Sequence, residues 1–298
     1  MGFWLGQLRL FLIAIGFFTR IPVPSALTVD SDSLNKASRY FGLVGVVVGL
    51  ISALVLLLAA GILPSSIAIV LAMISSVLVT GGFHEDGLAD TADGFGGGWR
   101  VEDKLKIMKD SRLGSYGALA LVLVLLLKYQ LLLELALYDI NQAALALVLA
   151  HCVSRVTAAS IILSETYVRD EGKSKPLAQQ QGLNELGILL LTGIVLTALL
   201  STTLLFWLLP TMLLLRWALV FWFRRQIGGY TGDTLGAAQQ VSELTVYMLL
   251  LALGAALHDP SNSGRCPQRQ EWLRRAATGR LVPGQCPPLV SGNGRGRR

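Results

Sequence analysis

Apolar residues are gathered into seven runs, at 40–62, 65–80, 115–138, 143–163, 187–209, 211–223 and 244–257, with polar stretches between them. Runs of this length cannot be strands of a barrel, which are about 10 residues long and alternate in polarity. They predict helices instead. A spanning helix needs roughly 20 apolar residues, and the second, sixth and seventh runs fall short of that. The expected fold is therefore all-α: a polytopic transmembrane helical bundle of six or seven spans. The N-terminal stretch "MGFWLGQLRLFLIAIGFFTRIPVP" lacks a small-residue cleavage pattern, and Arg9 interrupts its apolar part. It reads as an in-plane interfacial helix stopped by Pro22 and Pro24.

Composition agrees with the pattern, since 53% of the 298 residues are hydrophobic and 15% charged, with mean hydropathy +0.59. Soluble domains carry about 25% charged residues. Residues 1–258 read as one integral membrane catalytic domain, and the Gly-, Pro- and Arg-rich residues 259–298 as a disordered tail. Cys152, Cys266 and Cys286 have neither metal-site nor disulfide-framework spacing. The loops at 19–39, 81–114, 164–186 and 224–243 carry three, five, three and two Lys and Arg residues, whereas the short turns between them carry none. The positive-inside rule thus places all four loops in the cytoplasm. The eight arginines of the tail conflict with that scheme if the seventh run spans.

The densest chemistry follows the second run, in "GGFHEDGLADTADGFGGG" at 81–98. Asp86, Asp90 and Asp93 stand at i, i+4 and i+7 and would share one helical stripe. Three aligned carboxylates repel one another, and a magnesium or manganese ion held as a metal centre would relieve the repulsion. His84 could orient a carboxylate or contact a phosphate, while Glu85 would point elsewhere. Gly81, Gly82, Gly94, Gly96, Gly97 and Gly98 offer close backbone approach and amide donors, as phosphate-binding loops do. The alternative is a solvated acidic loop.

Two further stretches share the same side. "GGYTGDTLGAAQQVSE" at 228–243 supplies Asp233, either a metal or hydroxyl partner or a helix cap, together with Glu243. "DSRLGSYG" at 110–117 supplies Arg112, a phosphate partner or an interfacial anchor. Within the runs, His151 and Arg155 lie one turn apart, and Arg155 could hold a phosphate; Lys128 and Arg216 read as snorkelling side chains or boundary markers. Tyr167, Arg169, Gly172 and Lys173 suit an anionic ligand, although a purely topogenic loop would look the same.

Together with "FFTRIPVP" and "DSRLGSYGALAL", these motifs resemble the signatures of the cobalamin synthase family, in family order over residues 3–257. The resemblance implies a Mg2+-dependent enzyme of the bacterial inner membrane. It would join adenosylcobinamide-GDP to α-ribazole or its 5′-phosphate, releasing GMP. It also implies magnesium on Asp86, Asp90 and Asp93, with Asp93 or Asp233 accepting the hydroxyl proton and His84, Arg112, Arg155, Arg169, Gly96 and Gly97 serving the substrates. The expected partners are these substrates and the lipid bilayer, with no nucleic acid; the sequence leaves homo-oligomerisation open. Glu85 departs from the family, which is usually apolar there, and residues 259–298 have no family counterpart. Two competitors remain at this stage. CDP-alcohol phosphotransferases share the Asp-Gly-rich array, but this chain lacks their arginine after alanine. A transporter would use His151 and Arg155 with the two echoing loops "GGFHEDGLAD" and "GGYTGDTLGA".

Overall fold

The computed structural model describes residues 2–24, 27, 30–169 and 181–257. Its helices are α1 (Phe3–Phe18), α2 (Ser31–Ala37), α3 (Phe41–Ala60), α4 (Ser65–Thr80), α5 (Phe83–Gly97) and α6 (Val101–Ile107), followed by α7 (Ser115–Tyr138), α8 (Ile140–Ser164), α9 (Leu183–Leu200), α10 (Thr202–Ile227) and α11 (Gly232–Leu257). A 3-10 turn, Ser38–Tyr40, joins α2 to α3. The described residues contain no strand; one isolated bridge pairs Tyr167 with Tyr230. Residues 1–253 form one unit, and of the second, 254–298, only the end of α11 is described. Gly172, Lys173, Cys266, Cys286 and the predicted tail lie outside the described residues.

The all-α bundle is as expected, and among the described residues five segments are long and apolar enough to cross a membrane: Asp32–Ala60, α7, α8, α9 and α10. Counting α4 and α5 as one broken span gives six, the lower end of the expected range. Two boundaries move. The break between the fifth and sixth apolar runs is not at Pro210 but at Ser201, whose hydroxyl accepts the Leu204 amide at 3.2 Å and caps α10. Pro210 sits inside α10, as membrane helices tolerate. α1 is the short apolar helix expected at the N-terminus, with Phe3, Trp4, Leu5 and Leu8 exposed.

α8 is the axis of the bundle. Its most apolar window is 94% buried, against 22%, 17% and 28% for α7, α9 and α10. Small residues allow this. Gly42, Gly45 and Gly49 line one face of α3; a side chain at Gly45 would strike the His151 carbonyl, and one at Gly49 would lie 2.6 Å from the Val148 Cα. Such small-residue seams bring membrane helices to backbone contact, where dispersion replaces the hydrophobic drive that lipid removes.

Candidate active site

The site begins at a bend. Gly81 and Gly82 take φ of 69° and 72°, left-handed values that cost an L side chain energy and a glycine little. They turn α5 by 87° from α4, so α5 runs across the end of the bundle rather than along it. Arg20 packs over Gly81, 2.5 Å from where a Cβ would stand, and its own amide bonds to Val79 at 2.8 Å. The "FFTR" motif thus braces the bend.

Along α5 the three aspartates divide their work. Asp86 is exposed, Asp90 is half-buried and Asp93 is buried. Asp93 accepts the amides of Gly114 at 2.7 Å and Gly117 at 2.8 Å. It caps the start of α7 from a neighbouring helix, satisfying donors that a helix N-terminus leaves open. Side chains at 114 or 117 would run into this carboxylate. Each Asp93 oxygen thus accepts one amide, which gives the carboxylate a capping role that its place in the stripe did not suggest. The glycines of "LGSYG" serve the cap.

Asp86 and Asp90 instead face α11. Gly87 abuts it so closely that a Cβ would lie 2.8 Å from the Asp233 carbonyl and 3.2 Å from the Gly236 Cα. Burial, then the charges of Asp233 and Asp86, push the Asp90 carboxyl up to about 7. Asp233 is likewise raised by burial, while Arg169, whose Nη2 is 2.6 Å from Asp233 Oδ2, opposes the rise. Arg169 is held in place by backbone pairing: the Val168 amide bonds to the Tyr230 carbonyl and the Tyr230 amide to the Thr166 carbonyl, each at 3.0 Å. Asp233 is not the cap of α11. Thr231 and Thr234 form a reciprocal box, the Thr231 amide to Thr234 Oγ1 at 2.9 Å and the Thr234 amide to Thr231 Oγ1 at 3.2 Å. This frees the carboxylate of Asp233 for other partners.

Several expected substrate residues stand elsewhere. Arg112 is exposed and forks onto its neighbour Asp110, Nη2 to Oδ2 at 2.6 Å. Gly96 and Gly97 belong to α5; Gly96 packs on the Tyr116 ring and Gly97 lies near Ile107, so they form a packing surface rather than a phosphate cradle. His84 is buried, stacked on Phe18 at 5.8 Å, and Arg155 donates to the His151 carbonyl at 2.9 Å. His84 and Arg155 meet in an aromatic-lined cavity of about 40 Å³ that also reaches Gly232 and Gly236 at the start of α11.

Sequence reasoning missed the network beneath. Lys128, expected to snorkel, is buried and pairs with Glu243 at 2.6 Å. Tyr247 and Gln239 also donate to Glu243, each at 2.9 Å. Gln240 bridges Gln239 and Glu85, both at 3.0 Å, and so ties the core to α5. Glu85 is thereby engaged by α11. A lone lysine inside one apolar run and a glutamate at the edge of another were the available signal, because each is costly in lipid unless paired.

Among the described residues no three His, Cys, Asp or Glu side chains are grouped closely enough to hold a metal ion by themselves. Magnesium is commonly held by one or two carboxylates with the rest of its shell from phosphate and water. Asp86 and Asp90, whose mutual repulsion a cation would relieve, fit that role.

The family model described as Cobalamin-5-phosphate synthase matches residues 10–251. The chain is 66% identical to the adenosylcobinamide-GDP ribazoletransferase of Shewanella pealeana, over 86% of this chain and 100% of that protein. It is 64% identical to the enzyme of the same name from Shewanella halifaxensis, with the same coverage. To that of Shewanella oneidensis it is 59% identical, over 85% of this chain and 98% of the other. No solved structure matches. With motifs, helical bundle and full-length relatives in agreement, the chain belongs to the cobalamin-5-phosphate synthase family.

Proposed function

We propose that this protein is a membrane transferase that joins adenosylcobinamide-GDP to α-ribazole, or to α-ribazole 5′-phosphate, and releases GMP in a late step of cobalamin assembly. The observation that carries the reading is the meeting of Asp86 and Asp90 with the Asp233–Arg169 pair across the Gly87–Gly236 contact. The ribazole hydroxyl oxygen attacks the cobinamide-linked phosphorus, the bond from that phosphorus to the bridging oxygen breaks, and GMP leaves. Asp233, made more basic by burial and oriented by Arg169, accepts the hydroxyl proton. Arg169 also places a positive charge beside the reacting phosphates. Asp86 and Asp90 would hold magnesium, which when bound would neutralise charge developing on the pyrophosphate oxygens.

The carboxylates occupy one end of the bundle, which favours an enzyme over a transporter with a midplane site. Lys128 and Glu243 deep in the bundle pair with each other rather than lining a path. The basic loops beside the site support an inner-membrane protein with this face in the cytoplasm. The test is an assay of reconstituted protein with adenosylcobinamide-GDP and α-ribazole, with and without magnesium. Magnesium-dependent GMP release coupled to the cobalamin product is expected; GMP without that product, or no turnover, would refute the reading.

A further inference from the structure

On the side of α8 away from His84 and Arg155, a cavity of about 320 Å³ opens between α8, α9 and α10. Its volume falls within the roughly 300 to 1,000 Å³ of ligand sites. Leu190, Ile194, Leu209 and Leu213 line it and are themselves exposed, so it opens sideways on the lipid-facing surface. One cation lies at its edge. Arg216 is fixed by three bonds to α8: Nε to Ser160 Oγ at 2.9 Å, Nη2 to the Ser160 carbonyl at 3.1 Å, and Nη2 to Ser164 Oγ at 2.5 Å. None of these partners carries charge. Among the described residues no carboxylate pairs with Arg216; the nearby Glu165 is taken by Arg224 at 2.6 and 2.9 Å.

The level of the guanidinium decides what it can meet. Ser160 and Ser164 belong to the last turn of α8, after which the chain runs directly to Arg169 and the carboxylate end of the bundle. The α8 span ends at that turn, on the side of the bundle that carries the basic loops. A fixed cation that pairs with no carboxylate among the described residues, near the end of a span and beside a lipid-open apolar cavity, has the two parts of one ligand's recognition. We propose that this cleft binds a single anionic phospholipid, its phosphate on Arg216 and an acyl chain in the cavity. Neither the carboxylate site nor the transferase reading is needed for it.

The test uses the full chain, delipidated in detergent, with native mass spectrometry of bound lipid. Dioleoyl-phosphatidylglycerol should be retained about fivefold over dioleoyl-phosphatidylcholine, the factor expected for one basic residue near an anionic surface. Arg216→Met should bring the ratio to about one. Dihexanoyl-phosphatidylglycerol, which keeps the headgroup but cannot fill the cavity, should be retained far less than the dioleoyl lipid, and excess inorganic phosphate should not displace the latter. Equal retention of the two dioleoyl lipids, an undiminished preference in Arg216→Met, or displacement by phosphate alone would each overturn the proposal. If Arg216→Met fails to fold, the headgroup and chain-length comparisons on the unmodified protein decide it.

Discussion

Replacing Asp93 by Asn separates a structural carboxylate from the two that face α11. The side chain receives the Gly114 and Gly117 amides at 2.7 and 2.8 Å, one on each oxygen, in a buried position. A hydrogen bond to a charged group contributes about 1.5–3 kcal/mol, and losing a helix cap costs about 0.5–2 kcal/mol. Asn keeps one acceptor and turns an amino group toward the other amide, so one charged bond is lost and the second is weakened. Asp93→Asn should therefore destabilise the fold by about 2–4 kcal/mol, read as a shifted midpoint of equilibrium unfolding in mixed micelles. Its magnesium requirement should be that of the unmodified protein. Asp90→Asn should behave oppositely, turning over about 100 to 1,000-fold more slowly, needing more magnesium and unfolding at an unchanged or higher midpoint. An Asp93→Asn protein with full stability but a raised magnesium requirement would return Asp93 to the metal stripe and refute the division.

Three more outcomes follow from the same geometry. Because Asp90 is raised from its usual 3.8 to about 7, the proton it keeps stabilises the metal-free fold below about pH 4, and that contribution is lost as pH rises through 7. The proton also competes with the ion, so the half-saturating magnesium concentration should fall about tenfold from pH 6 to pH 8; a flat titration would refute this. Lys128→Met strands buried Glu243 and should cost about 3–5 kcal/mol, with Glu243→Gln added to it restoring much of the loss; equal midpoints for Lys128→Met and the unmodified protein would show that the pair contributes nothing. Cysteines placed near Gly97, Lys173 and Asp233 should all react with an impermeant maleimide from the cytoplasmic side, and labelling of any one from the opposite side would break the shared face.

The helices were legible because lipid leaves a long apolar run few alternatives, and Asp86, Asp90 and Asp233 stood out as candidates because carboxylates gather there beside glycines at helix ends. What sequence could not supply was direction. The i, i+4, i+7 spacing puts Asp93 on the same stripe as Asp86, yet the glycines at 114 and 117 leave a bare helix start against α5, and the carboxylate turns to it. Arg112 and Arg169 look alike in a linear reading. Only the Tyr167–Tyr230 bridge carries Arg169 to Asp233, while Arg112 finds its own neighbour Asp110. Lys128 and Glu243 lie 115 positions apart, and no local periodicity joins them. The turn at Ser201 shows the same limit, since Pro210 is the louder signal but the capped serine breaks the helix.

The contact of Gly87 with Gly236 acts as a caliper. Where two helices touch backbone to backbone, the width between their flanking carboxylates is set by main-chain atoms, which cannot repack as side chains do. A jaw of fixed opening would set the distance from Asp233, the proposed proton acceptor on α11, to a magnesium ion on Asp86 and Asp90 of α5. A methyl group at position 87 would prop the jaw open by pressing on the Asp233 carbonyl, 2.8 Å away. The glycine in the Asp86-Gly87 pair would therefore bear on how that proposed base is aligned with the ion, although it offers the ion no ligand of its own.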